Sequence, residues 1–340
     1  MKEQERVTLA YGSGGKLMHQ LVNDLFKKKF SNKILDELTD SALIEKSSSN
    51  DFVFCFTTDS YTVSPLFFPG GDIGKLSICG TINDLAVMGA KPLYISTGFI
   101  IEEGLEYRIL ERITSSMKKV IEKEKVKIVT GDIKVVEKGN ADKLFINTSG
   151  IGIRNKKFSI SRKSIKPGDK VIINGCIGEH EISVLSAREG FDFKTKIVSD
   201  CASLWDLVIN MLEVCPHIRF MRDPTRGGVG TTLNEIVDGM DFGILIKEDF
   251  LPIKKEVKGI CEVLGFDPLY LANEGKMVAI VSKDNAERVL KQMRRNPLGK
   301  DSCIIGEIVK SPKGRVILET HIGAHRIVDM LTGQQLPRIC

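Results

Sequence analysis

Two domains of mixed α/β type are predicted by three features of the sequence. Stretches of strand and helix period alternate along the chain, and the alternation starts again in the second half. The halves are parted by a basic, polar segment at 154–169 that ends in the turn signal Lys166–Pro167–Gly168–Asp169. At 340 residues the chain is long enough for each half to bury its own core. The fold class is α/β, or α+β where the elements segregate.

Taken in order, residues 16–30 carry Leu17, Met18, Leu21, Val22, Leu25, Phe26 and Phe30 at helical spacing. A charged, Ser-rich stretch at 47–51 leads into a strand at 52–58. Gly70–Gly71–Asp72 marks a turn, and 74–88 reads as a buried helix closed by Gly89 and stopped near Pro92. The β-branched and aromatic content of 92–101 predicts a strand. An amphipathic helix at 105–122 runs through Leu105, Ile109, Ile113, Met117 and Val120, and short strands follow at 126–129 and 144–153. In the second half strands are predicted at 170–174, 242–246, 276–282, 303–309 and 315–319, with helices at 201–213, 230–238, 254–264 and 285–295. The last residues, 329–340, lose periodicity, contain Pro337 and read as a flexible tail ending in Cys340. The chain thus divides into 1–40 (Gly-rich loop and helix), 41–160 (N-terminal domain), 161–328 (C-terminal α/β domain) and 329–340 (tail).

Composition narrows the function classes. Apolar residues make up 42% and charged residues 27%, which excludes wholesale disorder. A net charge of +5, from 49 basic and 44 acidic residues, is too small to mark a nucleic-acid or membrane-surface binder. The uncharged stretch at 92–101 is about half the ~20 residues a membrane-spanning helix needs. The start MKEQERVTLAYG has no signal-peptide core. None of the eight cysteines forms a CxxC pair, and most sit among apolar neighbours. A cytoplasmic protein is expected.

The common nucleotide signatures fail. Tyr11–Gly12–Ser13–Gly14–Gly15–Lys16 lacks the Ser or Thr after Lys16, the glycine spacing and the preceding strand of a phosphate loop. It runs into a helix N-terminus, so its backbone N–H groups are able to cradle phosphate, but alone it reads as a helix-capping loop. His180–Glu181 lacks the second His of a zinc motif, and His321 and His325 lie in a strand-like run where they do not share a face. The aspartates are more telling. The strands at 52–58 and 126–129 deliver Asp59 and Asp132, Asp84 follows Asn83 on an apolar helix, and Asp223 opens a Gly-rich turn. Singly each reads as a turn cap. Together they offer hard oxygen ligands for a Mg2+-nucleotide, with Lys134 placed to meet phosphate charge. Cys340 puts a thiol at the tip of a tail that extends up to roughly 40 Å. Its own carboxylate raises the thiol pKa and Arg338 opposes that. A covalent carrier and an incidental terminal cysteine both fit.

Longer stretches carry a resemblance. YGSGGK (11–16), TDSY (58–61), PLFFPGGDIGKLSICGTINDLAVMGA (65–90), TGDIKVV (130–136), DKLFINTSG (142–150), VSDCA (198–202), RDPTRGGV (222–229), ANEGK (272–276), NPLGKD (296–301) and the terminal PRIC resemble, end to end, the HypE family of hydrogenase maturation factors. These are the carbamoyl dehydratases of nickel–iron hydrogenase assembly. The resemblance implies the two-domain fold of aminoimidazole ribonucleotide synthetase, shared with selenophosphate synthetase and thiamine-monophosphate kinase. Residues 41–160 become the ATP-binding and dimerisation domain, its sheet pairing with a second subunit's into a barrel in a homodimer. ATP and Mg2+ are expected in a groove between the domains. A carbamoyltransferase, HypF, is expected to load Cys340, ATP-dependent dehydration to turn the thiocarboxamide into a thiocyanate, and the cyano group to pass to iron on the HypC–HypD complex.

Residue by residue, the resemblance gives Asp59, Asp84, Asp132 and Asp223 to Mg2+–ATP, with Asn83 and Thr225 in support. Gly12, Ser13, Gly14, Gly15 and Lys16 fold over the phosphates. Lys134 stabilises the phosphorylated intermediate, and Glu274 is the base. Tyr11 departs from the family's usual His and receives no role. A selenophosphate synthetase would carry Cys or selenocysteine in the glycine loop, where Ser13 and its neighbours supply none. A purine cyclo-ligase or a thiamine-phosphate kinase has no use for a terminal PRIC. A non-catalytic thiol carrier stays open, although the full aspartate set argues against it.

Overall fold

The computed structural model describes residues 7–12, 14–44, 51–188, 195–333, 336 and 338–340. The chain enters through a short helix α1 (Lys16–Leu21), a π-helical turn and α2 (Lys28–Phe30). The N-terminal sheet takes the order β1 (Ala42–Ile44), β2 (Phe52–Tyr61), β7 (Leu144–Asn155), β5 (Ala90–Glu102), β6 (Lys127–Val136). Its neighbours are antiparallel except the β5–β6 pair. Between them come a two-stranded turn, β3 (Phe67–Phe68) and β4 (Gly71–Asp72), then α3 (Ile73–Val87) and α4 (Tyr107–Glu124).

Alternation along β2 explains how this sheet is used. Val53, Cys55 and Thr57 face the helices, while Phe52, Phe54 and Phe56 point the other way and stay 41–49% exposed. In register, Phe56 lies opposite Ile151 and Ile151 opposite Tyr94, so an apolar row crosses the open face. Almost all of β6 is exposed. The sequence placed this strand at 126–129, too short. Pairing with β5 carries it on to Val136, so Asp132 sits in mid-strand instead of at a strand end.

Helix α3 is the beam between the domains. Asp72 caps it, accepting from the N–H groups of Gly74 and Lys75. Thirteen of its 15 residues are buried, all but Lys75 and Asp84. A helix apolar all round must be covered on every side. One side packs on the N-terminal sheet and α4, while Ala86 and Val87 join a core built from the C-terminal domain.

The C-terminal domain holds a seven-stranded sheet. Its elements in chain order are β8 (Lys170–Ile173), α5 (Glu179–Ser186), α6 (Trp205–Val214), β9 (Phe220–Arg222), α7 (Gly228–Val237), β10 (Gly243–Lys247), α8 (Lys255–Leu264), β11 (Val278–Val281), α9 (Lys283–Met293), β12 (Cys303–Val309), β13 (Val316–Glu319) and β14 (His325–Val328). The spatial order is β14-β13-β10-β12-β8-β11-β9. One core lies under α6 and α9, a second under α7. Helix α6 starts at Trp205 and not at Cys201 as expected: residues 201–204 precede it as a loop, with the Leu204 N–H donating to the Asn83 side chain. Helix α5 and strand β9 were not foreseen from the sequence. Among the described residues no helix is long and apolar enough to cross a membrane.

Candidate active site

A groove of about 240 Å3 opens where the two domains meet. The N-terminal domain contributes Asp40, Asp59 and Asp84, and the C-terminal domain Asp223, Thr225, Arg226 and Glu274. Topology explains the gathering. Asp59 lies near the end of β2, Asp84 is the polar break in α3, and Asp223 follows β9 directly. Tyr61 donates its hydroxyl proton to Asp59 (3.1 Å), and Thr57 donates to Asp84 (2.6 Å). On the floor Arg222 bridges Asp40 (3.1 Å) and Glu235 (3.0 Å), and His19 reaches Glu235 at 2.8 Å.

These carboxylates are costly to keep ionised. Burial and then Asp59 and Asp223 hold Asp84 well above the usual carboxylate range, and Asp223 is raised well above it by burial, Asp40 and Asp59. Asp40 is pushed up to about 6 by burial, against the pull of Arg222. Glu274 is likewise raised well above its ordinary value by burial, Asp223, Asp200 and Asp59, with Arg226 opposing. Such a set is an open demand for a cation. Among the described residues no three acidic, His or Cys side chains are grouped closely enough to hold a metal ion by themselves.

Glu274 is held by its backbone. Asp200 accepts the N–H groups of Glu274 (3.1 Å) and Gly275 (3.2 Å), and Lys276 pairs with Asp200 at 3.1 Å. Asn83 donates to the Glu274 carbonyl and the Ala202 carbonyl, both at 3.1 Å. Its side chain is therefore spent as a strut between α3 and two loops of the C-terminal domain and does not line the groove.

The chain end enters the same groove. Arg338, Ile339 and Cys340 run antiparallel beside residues 62–64: Thr62 N–H donates to Cys340 (3.0 Å) and Ser64 N–H to Arg338 (3.1 Å). Ile339 is 5% exposed, and Arg338 pairs with Asp142. Cys340 lines both the carboxylate groove and a second cavity of about 180 Å3, so this residue forms part of the wall between them. Burial pushes the Cys340 thiol up to about 12, opposed by Arg226. The tail, expected to be flexible, is thus docked in this structure.

The glycine loop borders the site. Gly14 lines the groove with φ +77, and a Cβ there would lie 2.8 Å from the Arg226 carbonyl oxygen, so only glycine fits. A Cβ on Gly15 would lie 2.1 Å from the Leu331 carbonyl, which accepts the Lys16 N–H at 2.7 Å. Gly12 faces the second cavity, and Ser13 lies outside the described residues.

Asp132 and Lys134 are elsewhere. They stand exposed on β6, paired at 2.5 Å, and Lys134 holds the Asp132 carboxyl below its usual range. Asp132 is level with Gly98, Gly98 with Asn147, and Asn147 with Ser60, next to Asp59. Three strand spacings of ~4.8 Å, roughly 14 Å, separate them within one sheet. Sequence reading missed Asp40, Asp200, Arg222 and Arg226. Asp40 precedes a three-residue strand and Asp200 sits in a loop, positions where an aspartate ordinarily caps a turn.

The AIR synthase related protein N-terminal domain profile matches residues 39–154, and the C-terminal domain profile matches 166–319. The carbamoyl dehydratase HypE of Rhodobacter capsulatus is 46% identical over 99% of this chain and 98% of its own length. A crystal structure of a HypE–HypF complex superposes with TM-score 0.85 at 47% identity, covering 92% of this chain and 99% of that one. HypE in complex with ATP superposes with TM-score 0.81 at 45% identity, covering 98% of this chain and all of that one. By both domain profiles and by full-length identity, the chain belongs to the carbamoyl dehydratase HypE family of AIR synthase related proteins.

Proposed function

We propose that the chain is an ATP-dependent carbamoyl dehydratase that turns a thiocarboxamide on its own Cys340 into a thiocyanate, supplying a cyanide ligand for a nickel–iron hydrogenase centre. The observation that carries this reading is the position of Cys340, in the wall of a groove lined by desolvated carboxylates. Expelling oxygen from S–C(=O)–NH2 requires making it a leaving group. One N–H proton departs as the carbamoyl oxygen takes the γ-phosphoryl group of ATP. The second departs as the C–O bond breaks, so thiocarboxamide and ATP give thiocyanate, ADP and phosphate. Glu274 is the base: it lines the same groove as Cys340, and burial and neighbouring charge raise the proton affinity of its carboxylate. Asp40, Asp59, Asp84 and Asp223 would hold Mg2+, which neutralises charge on the triphosphate when bound. Gly14, Thr225 and the loop from Gly12 to Lys16 border the phosphates, and Arg226 faces the reacting end of the tail. Burial of the tail excludes the water that would hydrolyse an activated intermediate.

Asp132 and Lys134 join the reaction in a homodimer. The support, among the described residues, is an apolar sheet face left exposed, an exposed β6 edge, and a β2 edge that β1 covers only from Phe54 to Phe56. An uncovered strand edge beside an apolar face is a pairing surface. If β6 of a second copy pairs along the rest of β2, its Asp132 and Lys134 arrive beside Asp59. The carbamoyl donor would be a carbamoyltransferase of the HypF type, in line with the HypE–HypF complex. The acceptor would be iron on a HypC–HypD scaffold in the cytoplasm, and the tail would leave the groove to reach both.

The test is intact mass after incubation with the carbamoyltransferase, carbamoyl phosphate and ATP, with mapping of the C-terminal peptide. An adduct of about 43 Da on Cys340, falling to about 25 Da with Mg–ATP, is expected of covalent-carrier chemistry. A 43 Da adduct that persists would leave a carrier alone, and no adduct would point back to the sister ATP enzymes.

A further inference from the structure

The first turn of α5 buries three ionisable residues in a row, Glu179, His180 and Glu181, at 8%, 0% and 4% exposure. Each has its own partner. Glu179 pairs with Lys254 (2.5 Å), and Glu181 accepts the Ala272 N–H (2.6 Å). The His180 ring lies between the Ser199 hydroxyl (Nδ1, 2.8 Å) and the Ile339 carbonyl (Nε2, 3.0 Å), with the Phe68 ring edge-on at 5.4 Å. The partners fix the tautomer. A carbonyl only accepts, so Nε2 carries the hydrogen and Nδ1 accepts from Ser199, whose oxygen in turn accepts the Cys201 N–H at 3.0 Å. Burial keeps the ring neutral by lowering its pKa. The relay therefore aims one N–H at the peptide immediately before the terminal cysteine.

We propose that His180 is the positioning residue that holds the loaded tail in the dehydration site, through its Nε2–H bond to the Ile339 carbonyl. This rests on the reading of Cys340 as the carbamoyl carrier. Thr62 and Ser64 tie the tail to the N-terminal domain, whereas His180, together with Arg188 donating to the Arg338 carbonyl (2.9 Å), ties it to the C-terminal domain that carries Glu274. Docking needs that second tie. Arg338 sits at φ +55, a left-handed conformation that costs a non-glycine residue energy, so the tail leaves unless its bonds outweigh the strain. Of the two ties to that domain, the neutral one from His180 lies nearer the reacting residue, and a tail that must also visit a transferase suits a bond that is firm enough to bias docking and weak enough to release.

The matched pair His180→Gln and His180→Asn tests this in the full-length protein. Both are polar and smaller than the ring, so any general cost of removing it falls on both. Gln carries an N–H to the place of Nε2, and Asn stops short of Ile339. Two readouts are taken: iodoacetamide labelling of Cys340 in the unloaded protein, followed on the C-terminal peptide, and single-turnover dehydration of the preloaded thiocarboxamide. Losing one such bond predicts labelling about tenfold faster and dehydration about tenfold slower in H180N, with KM for ATP unchanged and H180Q close to wild type in both. Equal behaviour of the two variants, or wild-type protection and rate in H180N, would overturn the latch. Failure of the carrier reading looks different: wild-type Cys340 takes no carbamoyl group, while the labelling comparison still decides whether His180 holds the tail.

Discussion

Two regions of the molecule carry the same kinds of residue in opposite conditions. In the groove between the domains, Asp40, Asp59, Asp84 and Asp223 are packed together, and all four are raised above their ordinary values. On β6, Asp132 is exposed, paired with Lys134, and lowered instead. The first group is costly to keep ionised and so has the character of a binding site within one chain. The second is comfortable in water and has no such character until another surface meets it. An aspartate's environment, and not its place in a motif, decides whether it is already part of a site.

The largest effect should come from the groove. Glu274→Gln is expected to slow dehydration of preloaded protein by about 10^2–10^4-fold while Cys340 still accepts the carbamoyl group. The pH profile sharpens the point. Since the carboxyl is raised, the basic form appears only as pH climbs through a value above the ordinary glutamate range, and the wild-type rate should climb with it. That limb should vanish in the variant. A single-turnover pH series measures both, and a Gln variant that keeps the limb would move the base elsewhere.

A mixing experiment breaks the comparison from the other side. Lys134→Ala and Cys340→Ala homodimers should each be inactive in thiocyanate formation. Subunit exchange between them should restore up to about half of wild-type activity per mixed dimer, if Lys134 works on the partner's thiol. In such a dimer one site unites the intact thiol of one chain with the intact lysine of the other. No restoration, with exchange verified by mass, would put Lys134 in its own chain's site and undo the argument from the three strand spacings between it and Asp59.

Much of this was legible in the sequence, and the misses have physical causes. Periodicity marked α3 and most strands because their burial is set by their own apolar residues. It ended β6 early because the polar tail of that strand, Thr130 to Lys134, is held by pairing to β5, a long-range contact that leaves no local signature. Asp59, Asp84 and Asp223 stood out against apolar surroundings and do line the groove. Asn83 stood out for the same reason, yet its amide is consumed by the backbone of the facing domain. His180 seemed idle because its partner, Ile339, lies 159 residues along the chain.

The smallest expected effect tests the premise of the whole comparison, that the groove is strained. Asp84 has a folded-state pKa well above the usual 3.8. The native state therefore holds its proton more tightly than the unfolded chain does, and stability associated with that proton is present below about pH 4 and lost as pH rises through the folded value. Above the ordinary carboxylate range the buried carboxyl is a net cost, which Asp84→Asn removes while still able to accept the Thr57 bond. The variant should melt roughly 1–2 °C higher, the equivalent of about 1 kcal/mol in a chain of this size, and the gain should fade as the buffer approaches pH 4. Asp132→Asn, exposed and paired with Lys134, should leave the melting temperature where it was. Adding Mg–ATP should reverse the order, because only the wild-type groove gains the binding that offsets its repulsion. A D84N protein that melts no higher than wild type would mean that Arg222 and its neighbours already neutralise the groove, and the contrast between the two regions would be one of exposure alone.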